Sequence, residues 1–180
     1  MDKQLTQREH TEVFRVKEII VFFLNGEKYG VEISRMQSLE SYQDACPLPE
    51  APEGILGTVE IRGEIFPVLD IHAKLGAGAS VERKKILLFR TGAGIIACVV
   101  DGVGKVFRAE GDNVQSFPKI ATSEDTDFVD FVVRMDQELI VVVKPDALLT
   151  QKQAEWLRTI DFSEIKEKQV EEEQNEEEEE

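Results

Sequence analysis

Few side chains in this chain are of types that do chemistry, and their spacing decides what they are for. His10 and His72 are the only imidazoles. A metal centre or a base–nucleophile pair needs two or three further groups converging at fixed spacing. Neither histidine has them: His10 lies in a polar N-terminal stretch, and His72 follows Asp70-Ile71 at the end of an apolar run. A histidine without such partners is read as a structural or surface residue. Cys98 sits inside I-I-A-C-V-V and reads as a small buried hydrophobe, whereas Cys46 precedes Pro47 in a loop-like stretch. They have no metal-ligand spacing, and a reducing compartment keeps them unpaired. The motifs G-x-S-x-G, H-E-x-x-H and C-x-x-C do not occur, which removes common hydrolase, metalloprotease and redox signatures. The pairs Gly76/Gly78 and Gly102/Gly104 open no long amphipathic helix after a strand, as phosphate binding at a helix terminus requires. These patterns point to recognition, with no catalytic residue, metal or cofactor expected.

Recognition needs a rigid surface, and residues Gly57 to Ile71 supply one. Two runs rich in β-branched and apolar residues flank Arg62-Gly63, the pattern of two antiparallel strands joined by a tight turn. Gly63 can take positive φ there without a Cβ clash. Arg62 is therefore held on a short hairpin, where a planar guanidinium makes a good interface anchor. Pro67 confines the second strand to an edge or a bulge.

Short apolar runs broken by turn signals build an all-β body around this hairpin. Strands are predicted at Ile19–Leu24 and Tyr29–Ile33 across Asn25-Gly26, then at Met36–Tyr42. Three prolines between Cys46 and Pro52 preclude regular structure there. Ile71–Leu75 reads as one helical turn ended by Gly76, with a loop through Ser80. Further strands are expected at Lys85–Arg90, Gly94–Val100 and Val103–Ala109, the last two joined by an Asp101-Gly102 turn. A polar loop at Phe117–Asp127 precedes a hairpin of Phe128–Met135 and Glu138–Lys144. Pro145-Asp146 is a helix-start signal, and Leu149, Trp156, Leu157 and Ile160 share one helical face.

Length and charge set the outer limits. At 180 residues the chain makes one domain, or two small subdomains sharing a core. Of the −15 net charge, −9 falls in residues 161–180, where eleven acidic side chains meet two basic ones. An acidic body with an acidic tail repels nucleic-acid phosphates. No run approaches the ~20 apolar residues that span a bilayer, and the N-terminus lacks a signal-peptide apolar region. A cytoplasmic protein with no direct membrane insertion is expected. Residues 1–17 are read as a flexible N-terminus, 18–160 as the folded domain, and 161–180 as a disordered acidic tail with nothing to bury.

Five motifs in one order carry a family resemblance. They are F-x-L-x-G-E-x-Y-G-V-x-I (Phe22 to Ile33), L-P-x-x-P-x-x-I-x-G (Leu48 to Gly57) and I-R-G-x-I-x-P-V-x-D (Ile61 to Asp70), then V-V-D-G-V (Val99 to Val103) and I-V-V-V-x-x-x-x-L-L (Ile140 to Leu149). In this register the chain resembles the CheW-type coupling proteins of bacterial chemotaxis. The resemblance implies a mainly β fold: two five-stranded SH3-like β-barrel subdomains around a shared hydrophobic core, with a C-terminal helix. It implies a non-catalytic adaptor joining the regulatory domain of a CheA-type histidine kinase to the cytoplasmic tip of a methyl-accepting chemoreceptor, recruited to arrays at the inner face of the membrane. By the same resemblance Ile33, Met36, Leu39, Arg62, Asp101 and Gly102 take the receptor helix, and Leu48, Pro49 and Gly57 meet the kinase.

Departures from the family pattern suggest a divergent paralogue with its own receptor or kinase, and a non-flagellar chemosensory pathway is the alternative reading. Glu60-Ile61-Arg62-Gly63 stands for N-L-R-G, Ser38 for a glutamate, Phe131 for a glycine, Lys144 for an aspartate and His72 for an arginine. Glu40 or Glu60 is the carboxylate expected beside Arg62. A different class of reading is a regulator that binds a small ligand in the groove between the subdomains.

Overall fold

The computed structural model describes residues 16–79, 82–116 and 126–178. The expected N-terminal flexibility at residues 1–15, and most of the polar loop before Phe128, lie outside this range. The longest apolar runs become strands buried on both faces. In β1 (Lys17–Leu24), β6 (Lys85–Thr91) and β7 (Gly94–Val100), alternate side chains point to opposite faces and so enter different clusters. Ile86 and Leu88 join Ala97 and Val99 in one cluster with Val59, Ile61, Phe66 and Val68. Leu87, Phe89, Ile96, Cys98 and Val100 face the other way and meet Ile20, Phe22 and Leu24 in the central core. Ile19 turns to a third cluster with Ala109, Phe131, Val133 and Val142. This double burial explains why the runs are continuous rather than alternating.

Two sheets result. The first has the order β8 (Gly102–Ala109), β1, β2 (Glu27–Glu32), β11 (Glu138–Val143), β10 (Val129–Met135), β9 (Val114–Ser116). The second runs β3 (Met36–Ser41), β6, β7, β5 (Glu64–Leu69), β4 (Ile55–Ile61). The expectation of five strands each is corrected in the first sheet, where the three-residue β9 adds a sixth by pairing Val114–Ser116 with β10. The core is shared as expected: Phe22 of the first sheet packs 5.8 Å from Tyr29 and 6.3 Å from Phe89 of the second.

The chain crosses between the sheets at two short points. One is a 3-10 turn over Ile33–Arg35. The other is Asp101. Asp101-Gly102 is not a hairpin turn between neighbours, because β8 leaves β7 and pairs with β1 through Phe23↔Gly102. The edge assigned to Pro67 also needs correction. β5 lies between β4 and β7, yet its parallel pairing with β7 begins only at Val68↔Ala97. Pro67, with no N–H to give, sits just before that ladder starts.

Both early hairpins use the same turn. Asn25 and Gly26 have φ of 48° and 83°, Arg62 and Gly63 of 52° and 81°, the two left-handed residues of a type I′ turn that suits the strand twist. The second sheet then closes on itself. Past β3 the chain returns to β4, where Cys46 N–H donates to Thr58 O at 2.7 Å and Thr58 N–H to Cys46 O at 2.8 Å. Gly57 permits this: its φ is +140°, and a Cβ there would lie 2.0 Å from the Cys46 carbonyl oxygen.

The C-terminus departs most from expectation. Pro145–Leu148 is a 3-10 turn, and the helix α1 (Gln151–Thr159) starts only after Thr150. Thr150 accepts from the Gln153 amide while the Gln153 side chain accepts from Thr150 N–H, a capping box that outcompetes the proline signal. Residues Phe162–Glu178 form a second helix, α2, where a disordered tail was expected. Glutamate is a good helix former, and Phe162 packs against the central core. Among the described residues no helix is long and apolar enough to cross a membrane.

Replacing Gly57 by alanine is expected to cost about 2–4 kcal/mol, since left-handed strain and a backbone clash add. Urea unfolding checks this; an unchanged midpoint would mean that the two backbones do not approach so closely.

Candidate protein-docking site

The residues expected to take a helix fall along one path. Ile33 lies in the first crossing turn and Met36 opens β3, both half-buried and packed on the central core. Leu39, further along the same edge strand, is 41% exposed. Of the three apolar positions it alone presents a large free surface. At the end of the path Arg62 meets β3 from the opposite end of the sheet, with Nη2 3.1 Å from Glu40 Oε1. Of the two expected carboxylates, Glu40 is therefore the one at the arginine. Glu60 is exposed on β4 and pairs with Ile65.

The pair is unequal. Glu40 keeps only 17% of its side-chain surface, Arg62 keeps 75%. The guanidinium stands at ion-pair distance without aligning an N–H, so Glu40 Oε1 is buried and accepts no hydrogen bond among the described residues. Arg62 also holds a left-handed backbone, which for a residue with a Cβ costs about 1–2 kcal/mol. The pairing is weak support for the fold and leaves the guanidinium largely open.

Asp101 and Gly102 do not join this path; Asp101 holds the second crossing together. One carboxylate oxygen accepts from the Asn25 amide and the other lies 3.1 Å from His72 Nε2. The Asp101 amide donates to Phe23 O at 2.9 Å. His72 is 1% exposed, and its Nδ1 lies 2.9 Å from Asp70 Oδ1. Asn25 adds side-chain hydrogen bonds to Ala77 O and Ala79 O. The hairpin turn of one sheet, the exit of β7 and the loop after β5 thus converge on one buried imidazole. His72 is structural, as read from its isolation, and the spacing Asp70-x-His72 was the signal for its partner.

The expected kinase-facing residues lie on another side. Leu48 and Pro49 line a cleft of about 300 Å³ with Cys46, Trp156, Ile160 and Ile165. Gly57 lies beneath, occupied by the backbone contact described above. Gln153 anchors α1 here, donating to Glu53 O at 2.7 Å. Cys46 is exposed and Cys98 buried; burial pushes the Cys98 thiol far up, with the Asp70 charge adding to the effect. Burial likewise raises the Tyr29 phenol, which donates to Leu75 O at 3.1 Å.

The CheW-like domain family matches residues 18–153. The chain belongs to the CheW-like family. It is 25% identical over 141 residues to chemotaxis protein CheW of Rhizobium meliloti (strain 1021), covering 77% of this chain and 91% of the relative. The Klebsiella aerogenes CheW is 24% identical over 139 residues, 76% of this chain and 84% of that one. The crystal structure of the scaffolding protein TtCheW from Thermoanaerobacter tengcongensis superposes with a TM-score of 0.69 at 28% identity, covering 77% of this chain and 96% of that chain. The family match ends inside α1, so α2 lies beyond it.

Two departures from the CheW-like pattern have structural roles. Phe131 is buried in the third cluster, with Lys17 Nζ 5.0 Å from its ring centroid. His72 fills a buried position between two carboxylates. Ser38 is half-buried on β3, and Lys144 is exposed where its amide donates to Phe128 O.

His72→Ala is expected to lower stability by about 2–3 kcal/mol, because it leaves a cavity and two carboxylates without their shared partner. Chemical unfolding measures it, and a change below about 0.5 kcal/mol would remove the imidazole from its place as the link between the sheets.

Proposed function

We propose that this CheW-like chain is a non-catalytic adaptor that couples chemoreceptors to a CheA-type histidine kinase in chemotaxis signalling. The observation that carries the reading is the match over 18–153 together with the TtCheW superposition, which spans nearly that whole scaffolding protein. The receptor's cytoplasmic helical hairpin lies along Ile33, Met36 and Leu39, with Arg62 as its polar anchor. Helix-in-groove recognition needs this combination of apolar anchors and a few fixed polar contacts. The kinase's regulatory domain docks separately, on the face of Leu48, Pro49 and Gly57. Holding both at once raises the effective concentration of each contact for the other, so two modest affinities assemble an array. The adaptor works in the cytoplasm, at the inner face of the membrane where receptor tips gather. The departures at Ser38, Phe131 and Lys144 fit a divergent paralogue with its own receptor and kinase.

Sedimentation tests the adaptor reading: with receptor-bearing vesicles and kinase, the chain carries kinase into the pellet. Kinase left in the supernatant at saturating adaptor would refute it. Within that assay, Arg62→Ala is expected to weaken receptor binding by about 1–2 kcal/mol, roughly five- to thirtyfold, with an unchanged unfolding midpoint. Equal affinity would take Arg62 out of the interface.

Cys46 gives an internal probe of the second face. In the native chain one thiol reacts with an alkylating reagent and Cys98 stays silent, since its thiolate is disfavoured by burial. Kinase regulatory domain is expected to slow Cys46 alkylation at least severalfold; an unaltered rate would place the kinase elsewhere.

A further inference from the structure

The chain itself flanks the proline-loop face, because α2 walls one side of the cleft beside it. α2 runs from the end of α1 across this side of the second sheet. Its first residue, Phe162, lies with Leu157 over Ile65, Phe66 and Pro67. That is the stretch of β5 preceding its pairing with β7. One turn on, Ile165 and Lys168 wall the cleft that holds Leu48 and Pro49. Between them, Lys166 Nζ donates to Gly63 O at 2.7 Å, which ties the helix to the hairpin carrying Arg62. The helix belongs to no part of the family match, which ends at residue 153.

Among the residues whose side chains are described, the contacts of the helix gather at its start. Phe162, Ile165 and Lys166 are half-buried, while Ser163, Glu164, Glu167 and Lys168 are exposed. From Glu171 to Glu178 the helix carries six glutamates and no cation. Acidic residues three and four apart repel each other, and a negative C-terminal turn opposes the helix dipole. By its sequence the far half is therefore electrostatically disfavoured as a helix. A short apolar and hydrogen-bonded foot under an electrostatically disfavoured arm is a contact built to be displaced.

We propose that α2 is an intramolecular cover for the face that receives the kinase regulatory domain, competing with it for Leu48, Pro49 and the cleft beside them. This rests on the adaptor reading above. The apparent affinity for a partner that binds only the uncovered state falls by the fraction of time the face is open. Releasing the cover must then strengthen kinase binding.

The test uses the full chain with Ile165→Ser and Lys166→Ala together. Both positions lie outside the matched domain, so the fold is retained, and Lys166→Ala alone serves as a milder second variant. Amide exchange over residues 162–168 reports release of the helix. Calorimetric titration with kinase regulatory domain reports affinity. The expected result is faster exchange together with roughly three- to tenfold tighter kinase binding. Released helix with equal or weaker kinase binding overturns the cover, as does an exchange pattern that does not change. If neither the wild-type chain nor the variants bind kinase, the adaptor reading itself falls, a result distinct from equal binding by all of them.

Discussion

The second sheet depends on one place where two backbones approach more closely than a side chain would allow. β3 and β4 stand at opposite ends of the hydrogen-bonded order, and the sheet becomes barrel-like only because the chain after β3 folds back to bridge Cys46 to Thr58. Gly57 is the residue beneath that bridge, without a Cβ and with a φ open to glycine. Closure has consequences at both rims. It brings Glu40 to Arg62, and it encloses the cluster of Val59, Phe66, Ile86 and Val99 with Tyr42 and Ala45 against it. The proline loop is the strap that results, held at Cys46 although no regular structure runs through it.

The first sheet is tied to this barrel by polar contacts as well as by the shared core. Hydrophobic contact alone is non-directional and leaves the angle between two packed sheets soft. Asp101 makes it directional, because the residue at which the chain changes sheets also binds the turn of the opposite hairpin and the buried His72. The loop after β5 is gripped from the other side by Asn25. This node acts together with the Tyr29 hydroxyl on Leu75 O and the Gly92 amide on Asp146 in fixing how the two sheets meet.

Local turn chemistry made the hairpins legible. Asn25-Gly26 and Arg62-Gly63 between β-branched runs specify their own geometry, and the apolar runs could be little other than strands. The partition into sheets was not legible, because Asp101-Gly102 as a dipeptide reads like any hairpin turn. Only the distant pairing of β8 with β1 makes it a crossing. The helix start was misplaced because Pro145 is a strong local signal, while the winning Thr150–Gln153 box lies five residues further on. The tail was misread because its composition is that of a disordered segment. Its apolar anchors among the described side chains, Phe162 and Ile165, are too few to register as an amphipathic face without the surface they meet. At the site, the residue types around Arg62 were visible, but which carboxylate faced it was a matter of closure and had no local signature.

Arg62 is where local preference and observed structure disagree, and the disagreement is informative. Asn25 and Arg62 occupy the same position of two equivalent turns, and asparagine is the residue that tolerates a left-handed backbone there. An arginine gains nothing from the turn. It gains little from Glu40 either, whose buried oxygen lacks an aligned donor. A strained residue with a largely open guanidinium stands beside a buried carboxylate oxygen that has no aligned donor among the described residues. Sequence rules are expected to fail first at functional sites. The failure here lies on the rim between the exposed Leu39 and the hairpin, which is where the family resemblance puts the receptor.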